Sequence, residues 1–534
     1  MKSTGTPWNK PVAAIILLLT IVLNPHPAAP RTNVPVKYKL LETGQFAAQI
    51  SNDGRLGFTR NGYAGILYPG DTPSPLVFDH GLWIFAMRND TLTGVAPYYY
   101  LPNYSPGPII HGEAAAVTAP EDTALFRTYQ LTRFSGPGDL DYDTWPSHLG
   151  APVNPDGTPR LHGDAMLWTV YNDADPNLHG FLEDSSDIKT NTQLEIRETV
   201  WGYDSNDISE DFLFFKWQIY NKSESRLDSV MICLWNDIDL WNASYNHVAY
   251  DIDKDFGYVY YDGSASPPGD SFALSGAYVM MQGPVVPSSG ATAMAFGSEM
   301  RDMKNLSANA FWGIIDDAYP PEGFGGSPKK LQDAYRFMTG RRHDGSPIVN
   351  PVTGDTTALT FTGDPLSGEG WLMQGSGGGA GYIIGSGPIT MAPGDSQEVI
   401  FALAGATGAT RDTSILRLFD KIDSLKTRYP ELLSRRTPFI QLPEHILLSQ
   451  NYPNPFNGKT IIRYELPQAA RVKLTIFNIL GQEVNTLVDH DQPTDFYAIV
   501  FNANDLASGV YFYRLTVDTG DVKTIDINKM LLLR

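Results

Sequence analysis

Two acidic words in the chain invite a chemical reading. Asn172-Asp173-Ala174-Asp175 follows the apolar run MLWTVY (166–171), and Asn236-Asp237-Ile238-Asp239 follows VMICLW (230–235). Asp251, Asp253 and Asp255 come shortly after the second. Carboxylates at i, i+2 and i+4 in a loop can converge on one hard cation, which makes calcium the expected ion. Its expected ligands are Asp237, Asp239, Asp251, Asp253 and Asp255. The EF-hand pattern is not met, because position six of the loop is Phe256 and Gly257 comes one place late. A competing reading is that Asp and Asn end strands by bonding to nearby backbone in turns. A third makes two of the acids a glycosidase pair. Trp168, Trp201, Trp217, Trp235 and Trp241 would then stack on sugar rings, although burial in a β core explains the same residues.

Other chemistry finds no local signature. The chain has no G-x-S-x-G and no H-E-x-x-H, and its ten histidines are scattered singly. Catalysis is therefore left uncertain, with the balance toward a non-enzyme. Gly375–Gly381 lacks the Lys-Ser/Thr of a P-loop and the strand–helix context of a dinucleotide turn, so a flexible loop is expected. Cys233 is the one cysteine, which excludes an intramolecular disulfide; it reads as a small apolar residue in a strand.

These residues need a scaffold, and composition indicates strands. Aromatics make up 12% of 534 residues, broken up by 49 Gly and 39 Pro. The firmest strands are 194–201, 212–220, 230–235, 258–261 and 399–404. Phe215, Trp217 and Ile219 alternate with Lys216, Gln218 and Tyr220, as in a half-buried strand, while VMICLW is apolar on both faces, as in a central one. Asn52-Asp53-Gly54 and Asn61-Gly62 are hairpin-type turns. Ile415, Leu418, Phe419, Ile422, Leu425 and Tyr429 share one helical face, with Asp412 or Thr413 as cap and Pro430 as the end. A second short helix is expected at 329–338. The fold class is mostly β: a large antiparallel β-sandwich body over 36–434 with a few short helices, then a C-terminal Ig-like β-sandwich. A sub-boundary is expected near 140–165, where Pro, Gly and Asp are frequent.

The net charge is −20, and −19 of it belongs to residues 1–446. Phosphate backbones are bound by basic patches, so nucleic acid is excluded as a partner. At the N-terminus, Lys2 and Lys10 give a positive start before a 12-residue apolar run, Val12–Leu23, and Pro25–Pro30 break it. Twelve residues fit the core of a secretory signal better than a membrane span, so residues 1–29 are expected to be a removable signal. The mature chain is then expected to have no transmembrane span.

The C-terminal motifs are the most specific. They are LSQNYPNPFN (448–457), VKLTIFNILGQEV (472–484), DLASGVYFYRL (505–515) and KMLLLR (529–534), with short alternating strands between turn signals. Residues 447–534 closely resemble the type A C-terminal sorting domain of the type IX secretion system, after a linker at 435–446. The resemblance implies Sec export followed by recognition at the outer-membrane translocon. It also implies removal of the tail, and a body attached to surface lipopolysaccharide or released, so the protein is expected outside the cell or on the outer-membrane surface. The body is similar to an uncharacterised group of secreted proteins with the same tail, through LYPGDTPSPLVFDHGLWIFA (67–86), DYDTWPSHLGAP (141–152), IYNKSESRLDSVMICLWNDIDL (219–240) and GPITMAPGDSQEVIFAL (387–403). That likeness supplies architecture and no chemistry. The expected function is a secreted binding or scaffolding module, with a hydrolase acting on polysaccharide as the alternative.

Overall fold

The computed structural model describes residues 32–533 except 58–64, 70–73, 98–102, 118–123, 176–177, 179–190, 205–207, 241–242, 264–271, 316–327, 329, 375–379, 435–444, 505 and 521. The expected signal segment, most of the linker and the Asn61-Gly62 turn lie outside the described residues.

Two large antiparallel sheets make the body. Sheet I has eight strands. Its main path runs Tyr38–Thr43, Phe46–Ser51, Ile66–Tyr68, Ser74–Arg88, Leu227–Ile238, Ala380–Met391 and Ala310–Ile315, and Thr91–Val95 also pairs with Ser74–Arg88. Sheet II has nine. Its path runs Tyr129–Thr132, Ala165–Asn172, Leu194–Gly202, Phe212–Asn221, Ser396–Gly408, Ala273–Gln282, Phe256–Tyr261 and Asn246–Asp251, with Ser105–Pro106 beside Ala165–Asn172. All five strands expected from the sequence are present, and VMICLW is central, paired on both sides.

Period-two alternation decides what each face meets. On Phe212–Asn221, Leu213, Phe215, Trp217 and Ile219 enter the core between the sheets. The His80 ring of sheet I lies 4.9 Å from that of Phe215 in sheet II. The Tyr382 hydroxyl of sheet I crosses to accept from Tyr278 N at 2.7 Å and donate to Gly257 O at 2.8 Å. Gly257 is required here, since a Cβ would stand 2.2 Å from the Phe311 ring. Phe212 and Phe214 enter a second core on the opposite face of sheet II.

The helix Arg411–Ser434 covers that opposite face. Ile415, Leu418, Ile422 and Leu425 are fully buried, and Phe419 sets its ring edge-on to Phe256 and Tyr258. Four such side chains contribute roughly 6–12 kcal/mol as an upper bound. The helix differs from expectation at both ends. Thr410 is the cap, its hydroxyl accepting from Thr413 N while Thr413 Oγ1 accepts from Thr410 N. Pro430 does not end it, and the helix runs one more turn to Ser434. Tertiary contacts hold that turn: Leu432 is buried, and its carbonyl accepts from the Tyr203 hydroxyl at 2.9 Å. The short helix Leu331–Met338 packs on the outer face of sheet I, with Phe337 stacked on Trp312 at 4.1 Å. The body is thus layered helix, sheet, sheet, helix.

Residues 140–165 do not separate two units. They belong to an excursion between Tyr129–Thr132 and Ala165–Asn172, which pair directly, and Trp145, Ala151 and Leu161 pack in the same core as the long helix.

Residues 447–532 form a two-sheet sandwich with its own core. Three strands (Leu447–Leu448, Lys459–Leu466, Asp495–Asn502) make one sheet, and four (Glu483–Gln492, Ala470–Asn478, Gly509–Asp518, Lys523–Leu532) make the other. The expected faces are the buried ones: Ile462, Tyr464 and Leu466 on one side, Val472, Leu474 and Ile476 on the other.

Candidate functional site

The outer face of sheet II is not wholly covered by its helix. Beyond the helix C-terminus lies a cleft of about 880 Å³. Its floor is the solvent-side register of four neighbouring strands: Trp201, Lys216 with Gln218, Glu398 with Ile400, and Met281 with Gln282. Arg160 and His162, from the excursion between paired strands, form one wall. Tyr429, Pro430 and Leu433 of the long helix form another. The third wall is the tip of the hairpin Val285–Ala295/Ser298–Asn305, with Met294 and Phe296. Ala295 and Ser298 are paired, so Phe296-Gly297 is a two-residue loop, and both residues have positive φ as a type I′ turn requires.

The floor carboxylate is already committed. Glu398 is buried; one oxygen accepts from Gln282 Nε2 at 3.0 Å and Phe296 N at 2.8 Å, the other from Gln218 Nε2 at 2.8 Å. The Phe296 bond ties the hairpin tip to the floor. Three other polar groups lack such partners. Lys216 makes no ion pair or hydrogen bond among the described residues, and its Nζ stands 6.0 Å from the Trp201 ring centroid. Burial pushes its amine below the usual lysine range; Glu398 opposes that shift and Arg160 adds to it. The His162 ring lies 5.5 Å from Trp201. Burial, then Lys216 and Arg160, push its imidazole well below the usual range, so it is neutral at pH 7. The Tyr429 hydroxyl is buried without a hydrogen-bond partner.

A second polar group lies sealed between the sheets. Glu198 and His80 are both 1% exposed. His80 shares a 2.8 Å hydrogen bond with the Tyr278 hydroxyl through Nδ1, its Nε2 has no partner, and burial pushes its pKa down to about 3. Burial likewise pushes the Glu198 carboxyl up to about 8. Tyr171 and Trp217 lie beside it and partly oppose that rise, without closing a hydrogen bond of normal geometry, and the Asp53 charge adds to it.

The acids singled out from the sequence are not gathered in one place. Asn246 Nδ2 donates to Asp239 at 3.2 Å from the start of the strand Asn246–Asp251. Asp251 stands at the other end of that strand, about 17 Å away at ~3.4 Å per residue. Asp237 lies within a strand, opposite Asp79, rather than after it. The five therefore do not converge on one ion. Asp251, Asp253 and Asp255 belong to a tight hairpin between paired strands. Asp251 accepts from Lys254 N at 2.8 Å and Asp255 accepts from the Tyr250 hydroxyl; burial pushes the nearby Lys426 amine below the usual range, and Asp255 and Asp251 oppose that shift. Lysine supplies the positive charge there. Asp173 behaves as a strand terminator, accepting from Thr192 N at 2.6 Å and Leu194 N at 2.7 Å. Among the described residues no group of three or more His, Cys, Asp or Glu is arranged to hold a metal ion.

The tryptophans form no sugar platform. Trp168, Trp201, Trp217 and Trp235 are at most 3% exposed, and Trp241 lies outside the described residues. Trp201 is packed against Phe214, stacked at 5.1 Å, and against the His162 ring at 5.5 Å. Cys233 is fully buried, and burial raises its thiol pKa. Gly381 is part of a strand rather than a loop, with a Cβ position only 2.2 Å from Asn236 O; Gly375–Gly379 lie outside the described residues. The sequence reading missed the cleft because its floor and walls come from seven separate segments. The one signal was the polar face of Phe212–Asn221, where Lys216 and Gln218 sit on a strand central to sheet II.

Residues 450–528 match the family described as the secretion system C-terminal sorting domain. A search of curated proteins finds no match to the chain. Among solved structures, the chain is similar to a polysaccharide lyase at 9% identity and TM-score 0.23, covering 94% of this chain and 46% of that one. It is also similar to dimeric latent PorU from Porphyromonas gingivalis at 13% identity and TM-score 0.15, covering 72% and 33%. A third is PorZ, a surface component of the type-IX secretion system of the same organism, at 10% identity and TM-score 0.15, covering 93% and 59%. The chain thus spans between a third and three fifths of the length of these structures. The sorting domain marks the protein for type IX export to the cell surface or beyond. No helix among the described residues is long and apolar enough to cross a membrane.

Proposed function

We propose that the body of this exported protein is a ligand-binding module and that the cleft over sheet II is its binding site. One observation carries the reading: Lys216 and His162 present polar groups without protein hydrogen-bond partners to one concavity of about 880 Å³, and the Tyr429 hydroxyl in its helix wall is buried without a partner. Buried polar groups cost free energy unless a partner completes them. A volume of this size holds a small organic molecule. In this reading the sorting tail delivers the module, and its removal leaves the body attached to surface lipopolysaccharide or released.

The test is a thermal-shift panel of organic acids, fatty acids and oligosaccharides on the purified chain, repeated on Gln218→Trp, which fills the floor. Ligands whose stabilisation is saturable and lost in Gln218→Trp support the reading. A panel with no such ligand, or shifts that survive the filling, overturns it.

A further inference from the structure

We infer that the cleft takes an organic anion with an apolar body, its carboxylate on Lys216 and its carbon chain along the methionine wall. The inference rests on the cleft being a binding site and adds the chemical class of the ligand.

The charge follows from which hydrogen-bonding groups remain unused. The Glu398 oxygens accept three protein hydrogen bonds. Asp255, at the cleft edge, accepts from Tyr250, and Glu299 stands exposed at the rim. The groups left over that line the cleft can both donate: the Lys216 ammonium and one ring N–H of His162. Arg160 adds a second positive charge to the same corner, close enough for it and Lys216 both to act on His162. An anion placed there accepts the unused hydrogen bonds.

The apolar body follows from the opposite wall. Met281 and Met294 line it with Phe296, and Met294 and Phe296 are 40% and 38% exposed at the hairpin tip. Methionine side chains are unbranched and polarizable and mould to irregular apolar shapes. A sugar ring asks instead for a flat, open aromatic face, and Trp201 is only 3% exposed. The Phe296–Glu398 bond holds this wall over the floor, so chain and carboxylate are engaged together.

The experiment is calorimetric titration of the purified full-length chain with three probes: decanoate, decyltrimethylammonium and acetate. Decanoate should bind saturably, and the other two at least about tenfold more weakly, the loss of one charge-assisted hydrogen bond or of the chain contacts. Lys216→Met keeps the stem and removes the charge, and should weaken decanoate at least about tenfold; Lys216→Arg, which restores charge, should recover most of it. Asp253→Asn, outside the cleft, should change nothing. A thermal melt of each variant checks that it is folded. Equal binding of decanoate and its cationic analogue, both lost in Gln218→Trp, would overturn the anion and leave the binding site standing. Acetate binding as tightly as decanoate would overturn the apolar body. Decanoate binding that survives both Lys216→Met and Gln218→Trp would place the ligand elsewhere and overturn both readings.

Discussion

Replacing Glu198 by glutamine should stabilise the body at neutral pH, although it alters a fully buried core position. The carboxyl titrates near 8 in the folded protein against 4.5 when exposed, because burial disfavours its charge. A raised acid pKa has a definite sign. Below pH 4.5 both states hold the proton and nothing is lost. Above it the unfolded chain ionises and the folded one does not, so stability falls until pH passes 8. At pH 7 the accumulated loss is about 3 kcal/mol, from about 1.36 kcal/mol per pH unit over the interval from 4.5. Glutamine has the shape of the neutral acid and no proton to lose, so Glu198→Gln should recover about 2–3 kcal/mol at pH 7 and close to nothing at pH 4. His80 works the other way. Its folded pKa is depressed to about 3, so its contribution is complete above pH 6.5 and lost as pH falls. The two slopes oppose each other between pH 4.5 and 6.5, and the raw pH profile of the wild type hides both. The difference between wild type and variant removes His80 from the comparison. Urea denaturation of both proteins at half-unit steps from pH 5 to 8 should show a gap widening by about 3 kcal/mol. A gap that stays constant, or a variant less stable at pH 7, would refute the assignment of Glu198 as a neutral, desolvated acid.

Melting curves in millimolar calcium and in chelator should superimpose, since Asp251 and Asp255 are engaged by Lys254 N and Tyr250 and compensated by Lys426; a midpoint that rises with calcium would restore the metal reading. Leu418→Ala should cost about 2–5 kcal/mol, because the side chain is fully buried between helix and sheet; a smaller loss by denaturation would mean that the helix docks loosely. Limited proteolysis should cut within 435–445 and release an intact body, and a cut that unfolds it would show the tail to be part of its core. Deleting 447–534 should leave folded body in the periplasm; cell fractionation that finds normal amounts at the surface or in the medium would refute tail-directed export.

Much of this molecule was local enough to read from the chain. The strands 194–201 and 212–220, the helix stripe from Ile415 to Tyr429 and the two buried faces of the tail rest on periods of 2 and 3.6, which are properties of consecutive residues. The sorting domain was legible because its motifs are contiguous words in a fixed order. The same locality misled at Pro430, where the chain loses a helical hydrogen bond yet Leu432 and the Tyr203 hydroxyl secure one more turn. It misled more seriously with Asp237 to Asp255. Closeness in sequence suggested one ion site, but an extended strand carries its two ends about 17 Å apart. The cleft shows the converse. Lys216 and Glu398 are 182 positions apart in sequence, yet the antiparallel register that sets Lys216 opposite Ile400 and Gln218 opposite Glu398 puts them on one floor. Sequence determined which residues face which way along each strand; only the order in which distant strands pair decided which of those faces share a site.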